Sequence, residues 1–179
     1  MSNSKCIWFF QIVAFLLIFI GSTPDLHAEE LKGMDVTLEG LRSIFVQVAP
    51  LNSETKEKGF SEQEILKKAE QRMRNAGIKI LEEEEYERLK GSRRYPLARV
   101  DLIMAVKEIE DKEIIIFDIQ VQVRQVAFLA RKPVIDILAP TWEKRILGHT
   151  NSLSVINKEM AKAVEHFIEA YSTANPESR

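Results

Sequence analysis

The sequence predicts an α+β fold: a two-layer sandwich with a mostly antiparallel sheet, in the order strand-helix-strand, three-stranded meander, helix, with two helices on one face. Three observations point to it. Two segments, around residues 62–76 and 153–171, repeat apolar side chains every three or four positions, as one-sided helices do. Between them, residues 99–107 and 117–124 alternate apolar and polar across a short polar turn, the mark of a β-hairpin with one dry face. One-sided helices and a one-sided sheet bury their apolar surfaces most economically against each other.

The elements follow in order. Residues 29–35 read as a mobile leader. The first strand is expected over residues 36–48, with Ile44, Val46 and Val48 on one side and Phe45 and Gln47 on the other. Pro50 ends it, and the polar stretch 52–59 reads as a loop. Ser61 with Glu64 makes a capping box, and Phe60 with Ile65 a hydrophobic staple. Ile65, Ala69, Met73 and Ala76 then form the core stripe of a helix over residues 62–76, and Gly77 suits a left-handed C-terminal cap. Residues 78–81 are expected as a short strand. Residues 82–89, with five glutamates, read either as a short helix or as a solvated connector. Residues 91–96 are a turn-rich link.

In the hairpin, a turn at Asp111-Lys112 pairs Val106 with Phe117, Met104 with Ile119, Leu102 with Val121 and Val100 with Val123, so one face is dry without adjustment. A further turn near Arg131-Lys132-Pro133 leads to a strand over residues 134–147. A two-residue turn puts Trp142 on the dry face; a slip of one puts it on the wet face. Pro140 implies an edge position or a bulge, since it donates nothing to a ladder. Residues 148–151 read as a loop, and Asn151 or Ser152 caps the last helix. Its stripe is Leu153, Ile156, Met160, Val164, Phe167, Ile168 and Tyr171, widened by Ala163, and Asn175-Pro176 stops it.

The start of the chain carries an address. Lys5 precedes an apolar run over residues 6–20, broken only by Gln11, and Gly21, Ser22 and Pro24 then break any helix. With Ala28 as a small residue at the exit, residues 1–28 have the plan of a secretory signal peptide. The run is shorter than the roughly 18 residues expected of a membrane span. The alternative is an uncleaved N-terminal anchor. Cys6 stands before the run and is not placed like the lipid-bearing cysteine of a lipoprotein. Cleavage removes 28 residues, with one Lys and one Asp, from the 179, leaving 151 residues with 24 Lys+Arg against 26 Asp+Glu, still −2. That length suits a single domain over residues 29–179 with short flexible ends. The remaining chain has no cysteine for a disulfide or thiolate, so it relies on its core. The charge balance argues against nucleic acid, which selects a basic excess. No Asn-x-Ser/Thr acceptor is present, which suits a bacterial envelope.

Chemistry-bearing patterns are sparse. No H-E-x-x-H, no G-x-S-x-G elbow and no Gly-rich phosphate loop is present. Glu82 to Glu85 lack the spaced oxygens of a calcium loop and read as a solvated face. His166 sits beside the stripe of the last helix as a packing or surface residue. No catalytic residue, metal site or cofactor is therefore assigned. The hairpin's wet face gathers Arg99, Asp101, Gln120, Gln122 and Arg124 on a flat polar surface, flanked by Val126 and Phe128. Ordinary solvation explains such a face; the functional reading is docking of an envelope protein, with a sheet edge as a second mode. The alternative site is the loop of His149, Thr150 and Asn151 before a helix N-terminus, for a small ligand or a reaction.

Gly59-Phe60-Ser61, the segment RMRNAGI over residues 72–78, Pro140-Thr141-Trp142 and the closing HFIEAYSTANP over residues 166–176 resemble a group of small secreted or periplasmic bacterial proteins of unknown function. The plan is also similar, at fold level, to periplasmic α/β modules such as the N-terminal domain of the translocation protein TolB and the curli-secretion protein CsgG. The matching motifs are structural, so the resemblance implies an envelope setting and protein docking rather than a catalytic set.

Overall fold

Turn chemistry and apolar periodicity place most of the elements where the sequence expects them. The computed structural model describes residues 35–90, 92, 95–109 and 114–176. Residues 34–179 form one compact unit. The expected signal segment, residues 29–34 of the expected leader and the hairpin turn at 110–113 lie outside the described residues. Among the described residues the architecture is α+β: a four-stranded mixed sheet and four α-helices.

The strands are β1 (Ser43–Val48), β2 (Leu97–Ile109), β3 (Ile114–Leu129) and β4 (Lys132–Thr150), and they lie side by side in that order. The helices are α1 (Ser53–Glu57), α2 (Glu62–Asn75), α3 (Glu83–Leu89) and α4 (Leu153–Ala174). β2–β3 and β3–β4 pair antiparallel, whereas β1 runs parallel to β2. The sheet is therefore mixed. Parallel neighbours need a long crossover, and the helical segment between β1 and β2 supplies it. In β2–β3 the pairs Val106–Phe117, Met104–Ile119, Leu102–Val121 and Val100–Val123 form as expected. All eight side chains are at most 4% exposed.

The long helices behave as their stripes predict. In α2 the Ser61 hydroxyl accepts from the Glu64 N–H, Ile65, Ala69 and Met73 are buried, and Gly77 takes φ +83° after the Ala76 C-cap. Ala76 itself is exposed, because the helix has ended by then. α4 buries Ile156, Met160, Ala163, Val164, Phe167, Ile168 and Tyr171. These residues join the apolar face of the sheet in one core, each large side chain contributing about 1.5–3 kcal/mol. Trp142 faces that core: it is 6% exposed and meets the Phe167 ring edge-on at 5.7 Å. Its position follows from parity. Two irregularities add three residues and then one to β4 relative to β3, an even total, so Trp142 still stands opposite Val123 on the dry face. Pro133 and Pro140 sit beside those irregularities on an edge strand, where a missing N–H costs least.

Five expectations are corrected. Residues 36–38 form a 3-10 turn rather than strand, and Gly40 at φ +74° redirects the chain into β1. Asp35, expected in the leader, belongs to the fold, since its carboxylate accepts from Trp142 Nε1 at 2.8 Å. Residues 52–59 contain α1, capped by Asn52 Oδ1 accepting from Thr55 N–H at 2.8 Å. Residues 78–81 make only a single bridge, Ile80 to Ile44. Residues 148–150 extend β4, because β3 begins early enough to pair Ile115 with Thr150. The segment with two open readings is a helix, α3, with glutamates in its first turn, where the helix dipole favours them.

Candidate functional site: a polar sheet face and an apolar hairpin arm

Arg99, Asp101, Gln120, Gln122 and Arg124 do share one face of β2 and β3, but its centre is closed. Asp101 is 5% and Gln122 7% exposed. Asp101 accepts from Arg99 Nη2 at 2.9 Å and lies 3.1 Å from Arg124 Nε. Arg124 Nε donates to Gln122 Oε1 at 2.7 Å, and Gln122 Nε2 donates to Glu143 Oε2 of β4 at 3.1 Å. Farther along, Arg145 grips Asp118 with two donors and holds its carboxyl below the usual range. Gln120 stands opposite Arg145. The five residues are thus linked or bordered by partners in a lattice across three strands, in place of a flat row of free groups.

α3 explains the closure. Its Tyr86 is buried and stacks on Phe45 of β1 at 4.6 Å, on the same side as Arg99. Burial pushes the Tyr86 phenol up, and the nearby Arg99 charge partly offsets this. The alternation of β1 signals Phe45 on this side, but the glutamate-rich stretch around Tyr86 does not reveal that it folds back over it.

The sheet edges are managed unequally. Beyond β1, the N–H of Ile44 donates to Lys79 O and Leu81 N–H donates to Ile44 O, covering the start of that edge. β2 outruns β1 past Leu102, and α1 plugs the gap. The buried Thr55 hydroxyl accepts from Val106 N–H at 3.0 Å, and Glu54 Oε1 accepts from Glu108 N–H at 2.5 Å. Side chains therefore take the donors that a foreign strand would take. β4 is the outer edge of the sheet, and past Arg124 β3 also runs beyond its pairing with β2. The middle of β4 touches the 3-10 turn, where Thr37 Oγ1 donates to Thr141 O at 2.9 Å. Just beyond that point it carries Glu143, Lys144 and Arg145, charges that discourage edge pairing.

The first third of β4 differs. With the end of β3 it forms a hairpin arm around Ala130 and Arg131, and residues 130–138 are all exposed. Of the ten exposed large apolar residues among the described ones, six are in this arm: Val126, Phe128, Val134, Ile135, Ile137 and Leu138. Val134 is 78% exposed. Val126 and Phe128 pair with Leu138 and Asp136, and Ile137 points to the opposite side with Ala127, so apolar groups stand on both faces. A recess of about 500 Å³ at the arm's root is lined by Tyr95, Pro96, Leu97, Val126, Phe128 and Pro133. Val126 and Phe128 were expected as flanking residues; residues 134–138 were not. Their signal is an apolar run without alternation at a point where both long helices are already committed to the core.

His149 and Thr150 lie in β4 rather than in a loop, and Asn151 is a bend after it. His149 is exposed opposite Ile116. Thr150 Oγ1 accepts from Ser152 N–H at 3.1 Å. His149 lines neither the recess at the arm, nor the groove between α2 and α4, nor the hollow beside Tyr171. Among the described residues, no group of three or more His, Cys, Asp or Glu is placed to hold a metal ion, and no helix is long and apolar enough to cross a membrane. No family model matches the chain, and no curated protein or solved structure matches it significantly.

Proposed function

We propose that the chain is an exported, non-enzymatic interaction module that docks another envelope protein through the β3–β4 arm and the adjoining edge of β4. The observation that carries this is the concentration of exposed apolar side chains on one arm. Monomeric soluble proteins rarely expose contiguous apolar patches beyond a few hundred Å², and larger ones mark interaction sites. The arm lies at the sheet edge that the rest of the fold leaves open, which suits strand addition. The polar face contributes support rather than contact, since its central charges are already paired with one another. Export rests on the basic start and apolar run of residues 1–20. The two-layer sandwich belongs to the same reading: α2 and α4 back the apolar face so that the arm projects past them.

A photo-reactive residue placed at Ile137 in producing cells should give an adduct of higher mass, and the same residue at Gln120 should not. Adducts at Gln120 with none at Ile137 would return the docking site to the polar face.

A further inference from the structure

We draw no further inference here: the strongest candidate, the exposed apolar hairpin arm of β3 and β4, adds nothing to the docking role already proposed for it, because nothing in the structure shows what covers it.

Discussion

Replacing Asp101 by Asn tests whether the polar face is a built part of the fold. The change keeps the shape and removes the charge. Asp101 is 5% exposed and faces Arg99 at 2.9 Å and Arg124 at 3.1 Å. Removing one partner of a fully buried ion pair costs about 3–5 kcal/mol, because the other charge is left without compensation. Here the two arginine side chains are 22% and 34% exposed, so water reaches part of each guanidinium. The expected loss is then about 2–3 kcal/mol, between the buried and surface limits. In a domain of this size that lowers the thermal midpoint by roughly 4–12 °C. Urea unfolding should show the midpoint fall with the slope unchanged. Adding Arg124→Met should recover part of the loss, since one of the two stranded charges is gone. A loss below about 0.5 kcal/mol would refute the reasoning, because that is the value of a solvated surface pair, and the face would again be open for docking.

Other outcomes follow from the same geometry. Thr55→Val keeps the shape of α1 but strands the buried Val106 N–H, and should cost about 1–3 kcal/mol by urea unfolding. Gly148→Ala puts a Cβ 2.6 Å from Phe117 Cζ in a packed core, and should lower stability by about 1–3 kcal/mol in a thermal scan. Lys56, together with backbone N–H groups, holds the Glu62 carboxyl down to about 2, and Arg145 lowers Asp118. A carboxyl depressed on folding stabilises above its unfolded pKa and loses that contribution as pH falls through its folded one. Stability from these groups should therefore be level above about pH 5 and decline from about pH 4.5 toward pH 2, and Glu62→Gln should flatten part of that decline.

The helices and the central hairpin were legible because each is specified locally. Ser61, Gly77 and the 3.6-residue stripes fix α2 and α4, and period-two alternation fixes the β2–β3 register. What the sequence hid depends on partners distant along the chain. α1 is a five-residue helix held by Thr55 and Glu54 against the edge of β2, about fifty residues away, so residues 52–59 look like loop. Asp101 reads as an ordinary wet-face residue until α3 folds over Phe45. The face of Trp142 turns on two irregularities whose combined count is even, which no alternation rule supplies. The arm escaped notice because a run apolar on both sides resembles core, and only the placement of the long helices shows that nothing in the described fold covers residues 134–138.

Hydrogen–deuterium exchange with and without envelope extract from producing cells, on the wild-type chain and on Ile137→Ser, tests most directly that the arm rather than the polar face meets another protein. In an isolated chain the outward N–H groups of residues 134–139 face solvent and exchange fast. Docking at the arm predicts that they slow on adding the extract in the wild type but not in Ile137→Ser, while residues 118–124 exchange alike throughout. Slowing over 118–124 with the arm unchanged would contradict the account.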